Sequence, residues 1–255
     1  MVMVPRLLSL LRQEAPLVEL VIRPESMNDL AEQIDLGHID AAIGTFAHSA
    51  TRFRSSSLFA CDDVLITNSS RPLKNLSREV LSRLSIAAVS SRGEHPEVVE
   101  GFVCQRDLSR RAEMYDRAAL ERALSVSAQS PRIVVSLPHF LAVPTLLEQS
   151  DWSAIVPRPV AVSLARTQPI SIYELPYHSS SFDVSALWHE RTTNDLPQQW
   201  LLDLLARATE HLRHRSTNLP FSEGSASTHT HFRPPTHSTA EFTQRRPAAT
   251  DCRLL

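Results

Sequence analysis

Ile34-Asp35-Leu36-Gly37-His38-Ile39-Asp40-Ala41-Ala42-Ile43-Gly44 is the stretch that decides the fold class. Leu30, Ile34 and Leu36 share one face of a helix that Ser26 or Asn28 can cap, and Gly37 is placed to end it. Ile39–Gly44 then follows at once as an apolar run short enough to be a buried parallel strand. Upstream, Pro5 suits a first helical turn, Leu7, Leu8 and Leu11 fall on one face, and Pro16 stops the helix. Residues 17–23, Leu-Val-Glu-Leu-Val-Ile-Arg, read as a strand. Helix, strand, helix, strand in forty residues predicts an α/β sheet with crossover connections.

The alternation continues downstream. Leu58-Phe59 and Val64-Leu65-Ile66 are strand material around Asp62-Asp63, which reads as a solvated turn. Further strands are expected at Ser85–Ser90, Ile133–Leu137, Ala154–Pro157, Ile170–Tyr173 and Val184–Trp188. Helices are expected over 113–124, after Pro138, and from about Pro197 to Leu212 with Trp200, Leu201, Leu204, Leu205 and Ala208 inward. From Arg213 to Leu255 the chain turns to Ser, Thr, His, Pro and Arg. It cannot bury enough there to offset its ordering entropy and is expected to be disordered.

Composition excludes several classes of function. With 5 Gly in 255 residues, neither a G-x-G-x-x-G loop, a Walker-type loop nor a G-x-S-x-G elbow can be written. A net charge of −2 provides no excess of positive charge to hold a phosphate backbone. Cys61, Cys104 and Cys252 are odd in number and far apart, which points to a reducing compartment. No signal peptide is legible at Met1–Arg6 and no apolar run reaches a membrane span, so the expectation is cytoplasmic. His229-Thr230-His231 reads as solvated tail, and no metal or cofactor is expected. No serine sits in a nucleophile elbow and Asp62-Asp63 has no metal-spaced histidines, so an enzyme is not expected.

In this order, the segments resemble the effector-binding domain of LysR-type transcriptional regulators. The resemblance begins at Pro5-Arg6-Leu7-Leu8 and is clearest in Ile34-x-x-Gly37-x-x-Asp40-x-Ala42-Ile43-Gly44. It continues through Ser57-Leu58-Phe59, Asp63-Val64-Leu65, Pro138–Pro144 and Ile155-Val156-Pro157-Arg158 to Leu187–Arg191 and Trp200-Leu201. It implies a two-lobed α/β fold like that of type 2 periplasmic binding proteins, with two hinge crossings and closure around a ligand in the cleft. On this reading the domain covers 1–212, with lobe one at about 1–86 and 172–212 and lobe two at about 87–171. The tail is 213–255.

The family's domain opens with a strand ahead of the helix at Pro5, and the resemblance implies that lobe one lacks it here. The winged helix-turn-helix is likewise not legible, so a truncated product or an upstream start is expected, without direct DNA contact. Segment 93–118 is longer than the common pattern. The implied function is sensing of a small-molecule effector, an aromatic or carboxylic acid, by a domain that forms homodimers or heterodimers with full-length relatives. A solute-binding protein of the same fold and a non-functional gene fragment are the alternatives.

Ligands of open α/β sheets bind beyond the carboxyl ends of strands. That places candidates at Thr45 and Phe46, at Ser90, Ser91 and Arg92, and at His139 and Phe140. Each has an ordinary structural reading beside it: helix caps for the serines, a core histidine, a packing phenylalanine and a solvated arginine.

Overall fold

The computed structural model describes residues 2–23, 30–90, 98–99, 102–106, 108–125, 131–213 and 252–254. The chain runs through α1 (Val4–Glu14), β1 (Leu20–Ile22), α2 (Leu30–Asp35), β2 (Ala42–Gly44), β3 (Phe46–Ser49), β4 (Phe53–Cys61) and β5 (Asp63–Asn68). It continues with α3 (Arg78–Ser82), β6 (Ser85–Val89), β7 (Val98–Val99), β8 (Phe102–Gln105), β9 (Leu108–Arg111) and α4 (Arg117–Leu124). The remainder is β10 (Arg132–Leu137), α5 (Val143–Gln149), β11 (Ser153–Pro157), α6 (Arg158–Leu164), β12 (Ile170–Tyr173), β13 (Phe182–His189), α7 (Leu196–Arg213) and β14 (Cys252–Leu254).

A five-stranded sheet of order β10-β6-β11-β5-β12 forms the second lobe. Its central strands are buried on both faces, and the alternation of side chains sorts them into two cores. Val64, Ile66, Ala87, Val89, Ala154 and Val156 face one core with α5 and α6. Leu65, Ile86, Ala88 and Ile155 face the other with Leu81, Leu120 and Leu124 of α3 and α4. Ser77 and Asp116 begin those two helices by accepting the Val80 and Ala119 amides at 3.2 and 2.9 Å.

The first lobe has the three-stranded sheet β2-β13-β4. On one face α7 packs Leu201, Leu204, Leu205 and Ala208 with Leu7 and Leu11 of α1. On the other, Leu30, Ala31 and Ile34 of α2 meet Leu187 and Phe53. Gly37 ends α2 at φ 73°, a conformation in which a Cβ is strained. The guanidinium of Arg191 then donates to the Asp35 and Ile34 carbonyls at 2.5 and 3.0 Å, setting a cation on the helix C-terminus.

Three expectations are corrected. The first crossing between lobes lies at Asp62-Asp63, because β5 belongs to the five-stranded sheet and not to lobe one up to about residue 86. Asp62-Asp63 is therefore a hinge and not a solvated turn: Asp63 is 3% exposed, and Asp62 accepts from Arg158 Nε at 2.8 Å. Arg158 also donates to Glu174 through both Nη groups at 2.6 and 2.7 Å, so one guanidinium ties the two crossings. Finally, 252–254 are a strand rather than disordered tail; β14 pairs in parallel with β1 in a two-stranded sheet. The expectation for the rest of the tail lies outside the described residues.

Segment 93–118 holds the largest surprise. Strands β7, β8 and β9 form an antiparallel meander whose β9 pairs with β3, giving a four-stranded sheet of order β3-β9-β8-β7. Since β3 continues from β2 in lobe one and β9 follows β6 in lobe two, this sheet spans the cleft. Its register slips between Phe46 and His48.

Candidate functional site

A cavity of about 350 Å³ lies between the lobes, within the size range of small-ligand sites. Lobe one contributes Gly44, Thr45 and Phe46 at the end of β2 and start of β3, with Cys61 from β4 and Phe182 from β13. The opposite wall is Arg110, Arg111, Met114, Phe140, Pro157 and Val160. Arg23 and Gln33 also line it. Among the described residues lining it there are three arginines and no carboxylate.

The local chain explains why these groups meet. β2 and β13 are antiparallel, so Gly44 stands opposite Ser185 and the chain leaves the sheet at Thr45 beside the lobe boundary. The Arg111 amide donates to the Thr45 carbonyl at 2.8 Å, which fixes β9 against that exit. The Arg111 guanidinium lies 4.2 Å over the Phe182 ring, and its Nε donates to the Glu113 carbonyl at 2.7 Å. Arg110 is 4% exposed, and burial lowers its pKa below the usual guanidinium value. Burial pushes the Cys61 thiol up to about 12, which makes it an inert wall and not a nucleophile.

Of the seven positions expected from the sequence, Thr45, Phe46 and Phe140 line the cavity. Ser90 is buried, its amide bonded to the Leu137 carbonyl at 2.8 Å, and is not among the lining residues. His139 is exposed, precedes the short 3-10 turn at Phe140–Ala142 without capping it, and also lies off the cavity. Ser91 and Arg92 lie outside the described residues. Sequence reasoning missed Arg110 and Arg111 because they sit in the atypical 93–118 segment. The run Leu108-Ser109-Arg110-Arg111 has no signal beyond its paired cations. Among the described residues no cluster of three or more His, Cys, Asp and Glu could hold a metal ion, and no helix is long and apolar enough to cross a membrane.

Residues 2–210 match the model of the LysR substrate binding domain. The chain belongs to this family. It is 26% identical over 208 residues to the HTH-type transcriptional activator NagR of Ralstonia sp, covering 80% of this chain and 62% of that one. To the HTH-type transcriptional regulator SyrM of Rhizobium meliloti (strain 1021) it is 22% identical, covering 81% and 58%. The domain thus spans about three fifths of the length of these relatives, which are transcriptional regulators. Its fold is that of the MexT regulatory domain of Pseudomonas aeruginosa, with a TM-score of 0.62, 19% identity and coverage of 81% and 90%. A putative transcriptional regulator from Vibrio parahaemolyticus superposes with a TM-score of 0.64 at 20% identity, covering 82% and 88%. The Synechocystis PCC6803 CcmR regulatory domain in complex with 2-PG has a TM-score of 0.58 at 13% identity, covering 82% and 92%.

The hinge of this LysR domain carries a titratable group of its own. Asp63 accepts from the Asp116 amide at 2.8 Å and the Ser179 hydroxyl at 3.2 Å through Oδ2, while Oδ1 is buried without a hydrogen bond. Desolvation raises its pKa above the usual carboxylate value of 3.8, against the lowering effects of the Asp116 amide, Arg111 and Ser179. The native state therefore holds the Asp63 proton to higher pH than the unfolded chain does. Relative to acid pH, the group withdraws stability as pH rises from 3.8 through its native value. In D63N this contribution is absent, so the stability of D63N minus that of wild type becomes more favourable with rising pH across that window. Urea unfolding at successive pH values checks it; a pH-independent difference contradicts it.

Proposed function

We propose that this LysR domain is an effector sensor that takes a small aromatic or carboxylic acid into the interlobe cavity. The observation that carries the reading is the cavity itself: apolar and aromatic walls contributed by both lobes, arginines at its edge, and no carboxylate among the described lining residues. A ligand touching both walls binds best when they stand at one separation, which gives it leverage on the lobe arrangement. The β3–β9 ladder crosses the same cleft, so the ligand and the ladder favour one closed geometry together. The reading extends to a regulator working in the cytoplasm as a dimer of like domains, with the sensing state passed to transcription control.

The test is thermal unfolding of the chain with a panel of aromatic and carboxylic acids. A ligand at 100 times its Kd adds about 2.7 kcal/mol to native stability. For a domain of this size that raises Tm by about 5–10 °C. A flat response across the panel overturns the reading for this class of effector. Sedimentation of the same samples checks the dimer.

A further inference from the structure

Strand β1 is fastened to lobe one by its side chains and not by the lobe's main sheet. Val18 and Leu20 pack on the core that α1, α7 and β4 share, yet β1 joins no ladder of the β2-β13-β4 sheet. Among the described residues its strand partner is β14 alone, in parallel: Leu20 stands opposite Cys252, Val21 opposite Arg253 and Ile22 opposite Leu254. The hydrogen-bonding edge of β1 is thus held by a segment remote from it in sequence. A row of N–H and C=O groups on a strand edge is a template for an added strand, with main-chain hydrogen bonds supplying the affinity.

We propose that the edge of β1 is a strand-acceptor surface and that its occupant is residues 252–254 of the same chain. The partner such an edge fits is an extended segment running parallel to Leu20–Ile22. β1 ends one residue before Arg23, which lines the interlobe cavity, so an occupant here steadies the strand that leads into that wall.

Three observations carry it. All three residues of β1 have a partner in β14, in one register without a slip. β14 forms no ladder with any other described strand, so its pairing is spent on β1 alone. The third is reach: residues 214–251 join α7 to β14, and at about 3.3–3.6 Å per residue their contour exceeds the width of a domain of this size. Being on the same chain also gives the segment an effective concentration of the order of millimolar, well above that of a second copy at micromolar protein. The edge can exist without its occupant, because Leu20 and Val21 are only half-buried and Ile22 is 45% exposed. Water then takes the place of the lost hydrogen bonds, and the domain is expected to stay folded.

The experiment is amide hydrogen exchange, read by mass spectrometry, on the full chain and two variants. One variant ends at Thr250; the other, R253P/L254P, keeps the length and removes two backbone donors. In both, residues 20–22 are expected to lose protection by about tenfold or more while β13 and α7 keep theirs. A peptide of residues 247–255, at millimolar concentration, is expected to restore protection in the shortened chain, and the peptide carrying both prolines is not. In the full chain, protection at 20–22 is expected to be the same between about 1 and 100 μM protein. Unchanged protection in both variants, or no rescue by the peptide, overturns the acceptor surface. Protection that climbs with protein concentration overturns the same-chain occupant and makes it a second copy. Loss of protection across β13 and α7 in both variants also overturns the proposal, since β14 is then part of the core and not a segment seated on an edge.

Discussion

Replacing Leu204 by alanine is expected to lower the unfolding free energy by about 3 kcal/mol, within the range of about 2–5 kcal/mol found for such truncations. Leu204 is fully buried on the inner face of α7, in the core that contains Leu58, Leu7 and Leu11. The site cannot collapse readily, because it is held between its own helix, helix α1 and strand β4 of the sheet. The void therefore adds its own cost to the lost transfer energy. As α7 covers the sheet of lobe one, the loss should appear as a lowered denaturation midpoint of the whole domain. Leu202→Ala, on a partly buried neighbouring position, is the control and should cost less. Equal effects at the two positions would contradict the packing described here. Chemical denaturation of the three proteins in parallel decides it.

The second large effect is on binding. Gly44 ends β2 at the cavity wall, and a Cβ built there meets the Phe46 ring at 3.3 Å. In Gly44→Val the branched side chain forces the ring away from its seat, and the cavity is the open space beside it. Overpacking of this kind costs about 1–3 kcal/mol, and here the cost includes volume that a ligand would use. The expected result is a domain that still unfolds cooperatively and whose Tm no longer responds to any acid that stabilises the wild type. Gly44→Ala, with one methyl group, should retain a reduced response. A full response in Gly44→Val would place the ligand elsewhere than the cavity between β2, β4, β9 and β13.

These two positions also show how far the sequence could be read. Leu204 was legible because helical spacing of apolar residues is a local property: Leu201, Leu204, Leu205 and Ala208 fall on one face whatever they pack against. Gly37 likewise read as a helix stop from its own backbone freedom, whereas Ile39–Gly44, expected as a buried parallel strand, is a strand only at Ala42–Gly44 and pairs antiparallel with β13. Thr45 and Phe46 could be named as site residues because the carboxyl end of a strand is a position in the chain as well as in space. Asp62-Asp63 shows the opposite case. Two adjacent acids signal a solvated turn, and only the arrival of Arg158, Ser179 and the Asp116 amide from distant segments makes the pair a hinge with Asp63 buried and Asp62 half-buried.

The sequence by itself determined the alternation of helices and strands, the faces that would be buried, the family likeness and the α/β class. The elements, their apolar faces and the class follow from periodicity and backbone chemistry within some ten to twenty residues, whereas the likeness rests on the ordered motifs from Pro5 to Leu201. The tertiary structure alone decided where the lobes divide, that β9 crosses the cleft to pair with β3, and that this pairing sets Arg110 and Arg111 at the wall of the interlobe cavity. It also decided that β1 finds its partner in residues 252–254. Strand pairing joins backbones through hydrogen bonds that every residue type except proline can make in full, so it leaves little trace in composition. The choice of partner and register is made by the packing of the whole domain, and the binding site is a product of that choice.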